Sequence, residues 1–408
     1  MKRIALLVLS ALALRAPAAF AEERRDEVVF AERKDARYES IASEARKPAE
    51  PPVRKRMWVD FSRVDAPKAV SEFARVWHQP PVRQGLSGMC WAFATTTLLE
   101  SEVQRLSGRE LRLSVLHTVY WEYVEKARGF VRSRGSSVFG QGSQSAAVLR
   151  ALREHGAVPA EAYSGLTGGR TEHDHDTTVF AEIDAYLGSV KASGAWNEEA
   201  VASTVRAILD HHLGAPPATV SVDGKALGPK EYLEKVVRVD PDDYVALLST
   251  MAEPYWQRTE YAVPDNWWHG KEYLNVPLDA FLGSVRGALT RGFSVALSAD
   301  MSEPGYSIGP PGIAVVPTWD VPSAQIDEAA RELRFENGST TDDHVLHAVG
   351  WLTKGGTAWF LVKDSWSSAW NNDHPGYYFF REDYVKLKTL ALLVHRDAVK
   401  ELLARAKE

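Results

Sequence analysis

Residues 84–93 are Gln84-Gly85-Leu86-Ser87-Gly88-Met89-Cys90-Trp91-Ala92-Phe93, and they contain the only cysteine of the 408-residue chain. A helix is predicted from Cys90 to about Leu106, and a helix N-terminus stabilises a nearby anion such as a thiolate. Cys90 is therefore a candidate nucleophile. Gln84, six residues upstream, is a candidate hydrogen-bond donor to an oxyanion. A buried structural cysteine is the alternative that this segment leaves open.

A histidine and an acidic residue follow near the C-terminus. The sequence contains Asp342-Asp343-His344-Val345-Leu346-His347-Ala348-Val349-Gly350 and, further on, Trp359-Phe360-Leu361-Val362-Lys363-Asp364-Ser365-Trp366. Both segments are apolar and are separated by turn residues, so they predict the two strands of a hairpin. A histidine on the first strand and Asp364 on the second can then lie side by side. A base and a group that orients it are what a thiol nucleophile needs.

The order of these motifs resembles that of the papain-like cysteine peptidases, in particular their bleomycin hydrolase and aminopeptidase C branch. The matching segments are Gln84 with Cys90-Trp91-Ala92-Phe93, Leu113-Ser114, Gly142-Ser143-Gln144, Gly156-Ala157-Val158-Pro159 and Asp364-Ser365-Trp366. The resemblance covers roughly residues 76–165 and 275–400. It implies an α+β, papain-like two-lobed fold, with a helical lobe, a β-barrel-like lobe and a largely helical insertion.

The resemblance also implies a role for each candidate residue. Cys90 is the expected nucleophile, His344 the general base and acid, Gln84 the oxyanion donor and Asp364 the residue that orients the histidine. His347 is the alternative base, but His344 has the family's spacing of six residues before Gly350. Residues three apart on a strand point to opposite faces, so only one of the two histidines can serve. His347 is then expected to be a core or hydrogen-bonded histidine.

Four positions around this site differ from the family or have two interpretations. Asparagine is usual at the position of Asp364, and an aspartate also favours the imidazolium and raises the pKa of the histidine. Trp366 is expected to shield the His–Asp hydrogen bond from water, with a core tryptophan as the alternative. Gly142 and Ser143 lie where the family's glycine pair contacts the substrate backbone, although ordinary loop residues would give the same sequence.

Composition and resemblance together divide the chain into five parts. They are a signal peptide (1–21), a charged leader or linker (22–56), a helical lobe with the nucleophile helix (57–165), a family-type insertion (166–274) and a β-rich lobe with the catalytic His and Asp (275–408). The first part has a basic start, an apolar run over Ile4–Leu14 and a small-x-small site at Ala19–Ala21, which predicts export to the periplasm or the medium. An inhibitory propeptide is the alternative for the second part.

Charge and composition exclude several classes of function. The net charge is −6, and it becomes −9 without the three basic residues of the signal peptide, which argues against nucleic-acid binding. We expect no membrane anchor. We also expect no cofactor, because the sequence contains no phosphate loop and no dinucleotide fingerprint. His173-Asp174-His175-Asp176 could suggest a metal site, but a solvated loop is the simpler interpretation, and we expect no metal. A homo-oligomer is compatible with the sequence.

The sequence therefore predicts a cysteine peptidase with a Cys-His-Asp triad, which acts on peptides or proteins through an acyl-enzyme. An acyltransferase or transglutaminase-like enzyme and an inactive peptide-binding relative are the alternatives. The branch includes aminopeptidases in which the C-terminal tail enters the cleft and its carboxylate holds the substrate amine. Here a short helix is predicted over Val399–Lys407, and we expect it to be too short to reach the cleft, because at 1.5 Å per residue it rises only about 13 Å.

Overall fold

The computed structural model describes residues 55–406, together with residues 36, 37 and 40. The predicted signal peptide (1–21) lies outside the described residues, as does nearly all of the charged leader (22–56). One structural unit begins at Met57, where the sequence predicts the start of the helical lobe. None of the helices in residues 55–406 is both long enough and apolar enough to cross a membrane.

Helices begin and end at residues that satisfy their free backbone groups. The Ser114 hydroxyl accepts a hydrogen bond from the His117 amide at the start of one helix, and Gly108, with φ of 69°, ends another in the left-handed conformation. The α-helices of residues 55–406 are α1 (Cys90–Ser107), α2 (Val115–Arg132), α3 (Ser145–His155), α4 (Phe180–Ser193), α5 (Glu198–Leu213), α6 (Pro229–Tyr232), α7 (Leu278–Thr290), α8 (Glu328–Glu336), α9 (Glu382–Lys388) and α10 (Lys400–Leu403).

Ten of the twelve strands of residues 55–406 form one large sheet, and β2 and β3 form a separate hairpin. The strands are β1 (Ala74–Arg75), β2 (Val220–Val222), β3 (Lys225–Leu227), β4 (Tyr244–Leu248), β5 (Arg258–Thr259), β6 (Tyr273–Asn275), β7 (Val295–Ala299), β8 (Ile313–Ala314), β9 (His344–Lys354), β10 (Thr357–Lys363), β11 (Tyr377–Arg381) and β12 (Thr389–His395). The order in the large sheet is β5-β6-β4-β12-β7-β9-β10-β11-β8, and β1 pairs with β9. The predicted hairpin is confirmed, since β9 and β10 pair antiparallel with Lys363 opposite His347.

The α+β, papain-like fold class is confirmed, but the β-rich lobe does not contain a closed barrel. In residues 55–406 the sheet ends at β5 on one edge and at β8 on the other, and these two strands do not pair with each other. The prediction of a β-barrel-like lobe is therefore corrected to an open sheet. The physical reason is that β4, β6 and β5 add to the sheet beyond β12. The sheet therefore continues past β12 and does not close on itself.

The insertion (166–274) contributes to the sheet as well as to the helices. Its helices α4, α5 and α6 contribute to the same hydrophobic core as α1, α2 and α3. Its last third, however, contains β4, whose five residues are all buried and pair with β12. The description of the insertion as largely helical is thus incomplete. A continuous apolar run of five residues does not distinguish a buried strand from a helix by periodicity.

The two faces of the large sheet pack against different sets of helices. On one face, Ala296 of β7 belongs to the core that includes α1, α2 and α3. On the other face, its neighbours Val295 and Leu297 belong to the core that includes α7. Leu402 and Leu403 of α10 pack against this second core. The nucleophile helix and the C-terminal helix therefore lie on opposite faces of the sheet.

Candidate active site

Cys90 is the first residue of α1, the helix that packs against the middle of the sheet. The next residue, Trp91, is fully buried, which fixes the start of the helix in the core. Met89 provides no side-chain cap, so no side chain of that residue competes for the first free amides of the helix. The cysteine itself is only partly buried. Its thiol therefore lies at a positive helix end and is accessible from the cleft.

Gln84 is held beside this helix by the segment that follows Asp364. Its side-chain oxygen accepts a hydrogen bond from the Ser365 hydroxyl at 2.6 Å, and its backbone N–H donates to the Ser365 carbonyl at 3.0 Å. Its Nε2 donates to the Ser87 carbonyl at 2.6 Å. An amide nitrogen has a second hydrogen, so Gln84, which lines the cleft, retains one N–H for an oxyanion.

His344 and Asp364 lie side by side, as the predicted hairpin requires. His344 begins β9, Asp364 directly follows β10, and the His344 Nε2 lies 2.7 Å from an Asp364 carboxylate oxygen. Both side chains are almost completely buried. Burial lowers the pKa of His344, but the charges of Asp364 and of the Cys90 thiolate, and its hydrogen bonds to both, raise that pKa well above its ordinary value. Because Nε2 faces Asp364, Nδ1 is the nitrogen that faces Cys90.

Tyr306 is a third partner of Asp364 that the sequence did not indicate. Its hydroxyl donates to the second carboxylate oxygen at 3.1 Å, and its ring is fully buried against Tyr378 at a centroid distance of 4.4 Å. The Trp366 amide donates to the first oxygen at 2.8 Å. Three donors therefore converge on Asp364, and a carboxylate, which only accepts, satisfies all of them. Tyr306 lies in an irregular Gly- and Pro-rich segment, where no periodicity points to a contact with residue 364.

His347, the alternative base, lies on the opposite face of β9 from His344, against α1. It is fully buried, and its Nδ1 lies 2.9 Å from the Thr97 hydroxyl of α1. Burial, together with the charges of Lys363 and His78, lowers its pKa well below the ordinary value. It does not line the cleft. The structure thus brings His344, and not His347, to Cys90.

The candidate site opens into a cleft of about 610 Å³. Trp366 lines it. Of the predicted substrate-binding loop, Gln141 lines the cleft, whereas Ser143 is buried and its hydroxyl donates to Glu122 at 2.7 Å. A Cβ on Gly142 would lie 2.2 Å from the Asp265 carboxylate, so the approach of that side chain explains the glycine. The lining residues are Gln84, Ser87, Gly88, Cys90, Gln141, Asp176, Met301, Tyr306, Ile308, Asp343, His344, Trp366, Ser367, Ser368 and Asn371.

The histidines and acids of the 173–176 segment have contacts of their own. His175 is buried, and its Nδ1 lies 3.3 Å from the Tyr123 hydroxyl. Asp174 accepts a hydrogen bond from the Thr177 amide at 3.1 Å and so caps the following turn. Among the residues that the structure describes, no three His, Cys, Asp or Glu side chains are grouped to hold a metal ion.

Comparisons with known proteins agree with this architecture. The profile of the Peptidase C1-like family matches residues 219–408. Aminopeptidase G of Lactobacillus delbrueckii subsp. lactis is 21% identical over 357 residues, which make up 77% of this chain and 80% of that protein. The crystal structure of PepW from Lactobacillus rhamnosis HN001 matches with a TM-score of 0.66 and 17% identity, over 86% of this chain and 89% of PepW.

These comparisons confirm the resemblance that the motifs indicated. In sequence and fold, the chain is similar to the Peptidase C1-like family over residues 219–408, to Aminopeptidase G and to PepW. The matched profile includes His344 and Asp364, while the segment around Cys90 lies outside it. The roles of the individual residues therefore rest on the geometry of the cleft.

Proposed function

We propose that this chain is a cysteine-type peptidase that hydrolyses peptide bonds through an acyl-enzyme. The observation that supports this function best is the position of His344 between Cys90 and Asp364 in an open cleft. A thiol, an imidazole and an orienting carboxylate in this order are what nucleophilic acyl transfer requires. The kinship with Aminopeptidase G supports a peptide substrate.

In the proposed reaction, the Cys90 thiolate attacks the carbonyl carbon of the scissile bond. The oxyanion that forms is bound by the Cys90 amide and by the free N–H of Gln84. The imidazolium of His344 then donates its Nδ1 proton to the leaving amine, and the C–N bond breaks. A water molecule then attacks the thioester while His344 takes one of its protons. The C–S bond breaks, the acid product leaves, and the Cys90 thiolate and the His344 imidazolium are restored for the next cycle.

The C-terminal tail does not support the aminopeptidase mechanism that the branch implies. Leu402 and Leu403 pack on the face of the sheet opposite α1, and the Arg405 guanidinium lies 3.9 Å from the centre of the Trp256 ring. We propose that any preference for a free amino terminus comes from a group within the cleft rather than from the tail.

Peptide hydrolysis by wild type and by Cys90→Ala tests the proposed function. Because the thiol contributes chemistry and little volume, the variant should fold normally and retain less than about 1% of the wild-type kcat/KM, a loss of about 2.7 kcal/mol or more of transition-state stabilisation. Greater residual activity in Cys90→Ala would contradict the assignment of the nucleophile. Unchanged circular dichroism and thermal unfolding of the variant are the controls for folding.

The aspartate at position 364 favours one alternative function, acyl transfer to an amine. The two functions share the acyl-enzyme and differ in what attacks it. Mass spectrometry of the products after incubation with a peptide and a primary amine distinguishes them. The peptidase predicts a product with a free carboxylate, and a transferase predicts an amide of the added amine. If neither product forms, the chain is an inactive relative.

A further inference from the structure

We propose that Asp176 selects substrates that carry a positive charge on the N-terminal side of the scissile bond. This inference rests on the proposed peptidase function and names its substrate class: peptides with an ammonium or guanidinium group close to the cleaved bond. The first observation is the charge of the cleft. Its lining includes the carboxylates of Asp176 and Asp343, and no lysine or arginine is among the described residues that line it.

Of these two carboxylates, Asp343 is already engaged by the protein. One of its oxygens accepts a hydrogen bond from the Met301 amide at 2.9 Å, and the other lies 3.5 Å from the Thr341 hydroxyl. Hydrogen bonds within the protein therefore fix Asp343 on the side of the cleft that carries His344. In Asp176 only one carboxylate oxygen has a hydrogen bond within the described residues, from the Gln141 side-chain amide. Its second oxygen has the freedom to bind a substrate cation.

Asp176 is held at a fixed place relative to the nucleophile through Gln141. The Gln141 side-chain amide donates to Asp176, and its side-chain oxygen accepts from the Gly88 amide at 3.0 Å, two residues before Cys90. The Gln141 carbonyl accepts from the Trp91 indole at 3.1 Å, one residue after Cys90. These contacts span both sides of the nucleophile. The position of the Asp176 carboxylate is therefore fixed relative to Cys90.

The same contacts place Asp176 on the acyl side of the substrate. His344 protonates the leaving amine, so the C-terminal part of the peptide lies on the wall that carries His344 and Trp366. The N-terminal part extends over the opposite wall, which Gln141 forms. An α-ammonium group and a Lys or Arg side chain present the same chemistry there. The carboxylate attracts either one, and the length of peptide that fits the cleft decides between them.

The size of the effect follows from the exposure of Asp176. An ion pair that water still reaches contributes little, so we expect a change of about fivefold rather than a hundredfold. Salt screens such a pair, and the selectivity should therefore fall as ionic strength rises.

The test compares Asp176→Asn with wild type on three peptides of the same length. One has a free amino terminus and neutral side chains, one is acetylated and neutral, and one is acetylated and carries an arginine two residues before the scissile bond. We expect Asp176→Asn to lower kcat/KM for at least one of the charged peptides about fivefold more than for the acetylated neutral peptide. The peptide that is affected identifies the source of the charge. Asp184→Asn, which removes the same charge from the exposed surface of α4, is the matched control.

Binding to the Cys90→Ala variant separates this inference from the proposed function. The dissociation constants of the same peptides for Cys90→Ala and for Cys90→Ala with Asp176→Asn measure charge selection without catalysis. A loss of affinity for charged peptides alone supports the role of Asp176 even if wild type cuts none of them. Equal affinity of both variants for all three peptides, or an equal loss for all three, would overturn it.

Discussion

At the scale of single residues, the aspartate at position 364 sets the pH range of the proposed reaction. Its charge raises the pKa of His344, so the thiolate–imidazolium pair persists to higher pH. Asp364→Asn keeps a hydrogen-bond acceptor for the ring but removes the charge, so the pKa of His344 falls. We expect kcat/KM within about tenfold of wild type at neutral pH and an alkaline limb moved to lower pH. Asp364→Ala should be less active, because the orientation of the ring is lost as well.

The pH dependence of kcat/KM in wild type and Asp364→Asn checks this prediction. A thiol peptidase loses activity at high pH when the imidazolium loses its proton, so the alkaline limb reports the pKa of His344 in the free enzyme. An alkaline limb at the same pH in both proteins would mean that this carboxylate is not paired with the catalytic histidine. The third member of the proposed triad would then be wrong.

Tyr306 should be coupled to Asp364 because its hydroxyl donates to the carboxylate. Tyr306→Phe removes one hydrogen bond to a buried charged group, which costs about 1.5–3 kcal/mol and should lower kcat/KM by about tenfold or more. In Asp364→Asn the side-chain NH₂ would face the tyrosine and donate to its hydroxyl oxygen, a hydrogen bond between neutral groups that is weaker than one to a carboxylate. Tyr306→Phe should therefore cost less in that variant than in wild type. A double-mutant cycle on kcat/KM measures the coupling, and strictly additive losses would contradict it.

At the scale of elements, the loop before the nucleophile depends on Gly85. This residue has φ of 67°, and a Cβ there would lie 2.2 Å from the His173 carbonyl oxygen, to which the Leu86 amide donates. Gly85→Ala should lower the free energy of unfolding by about 2–3 kcal/mol. Gly108→Ala is the matched control, since its φ is 69° but no atom lies near its Cβ. We expect a loss of about 1 kcal/mol there.

Urea unfolding of the two glycine variants measures the difference. The left-handed backbone conformation is common to both positions, so the excess loss in Gly85→Ala reports the clash with the 173–176 segment. Equal losses would show that the loop moves away from His173 at little cost. The contact between this loop and the insertion would then not be needed for stability.

The sequence predicted those elements whose ends and periodicity agree with the final fold. The helix predicted from Cys90 to about Leu106 is α1 (Cys90–Ser107), and the pairing of β9 with β10 followed from two apolar runs and a turn. The strand β4 was missed because a short buried apolar run has no periodicity of its own. The helix expected over Val399–Lys407 has its α-helical part limited to Lys400–Leu403, after a 3₁₀ turn.

The candidate site could be predicted only where its residues belong to recognisable motifs. Cys90, Gln84, His344 and Asp364 are adjacent to tryptophans, glycines or strands whose spacing the family shares. Their proximity in one cleft is in keeping with those predicted roles, which the tests above address. The contacts of Tyr306 and of Asp176 come from irregular segments, which lie in place only through long-range packing. No local property of the sequence indicates such contacts.

At the scale of the whole molecule, the C-terminal helix should affect stability but not substrate choice. Deletion of residues 401–408 removes Leu402 and Leu403, which pack against the hydrophobic core that includes α7. It also removes the contact of Arg405 with Trp256. We expect a lower melting temperature and an unchanged ratio of rates on amino-blocked and free peptides. Loss of a preference for free amino termini in the truncated protein would contradict the placement of the tail away from the cleft.

Export of the protein is a second proposal at this scale. Residues 1–21 have the basic start, apolar run and small residues of a signal peptide, and they lie outside the described structure. We propose that the exported protein begins at Glu22. N-terminal sequencing of the protein from the periplasm or the medium checks the cleavage site. Full-length protein in the cytoplasm, with none exported, would contradict the proposal.

The central claim is that Cys90 is a thiolate activated by His344, and its rate of alkylation tests this most directly. An epoxysuccinyl peptide is incubated with wild type and with His344→Ala, and the labelled residue and the rate are determined by mass spectrometry. The account predicts one label per chain, at Cys90, at least about 100-fold faster than with a free thiol. It also predicts a rate near that of a free thiol in His344→Ala. A wild-type rate no faster than that of a free thiol would contradict the claim.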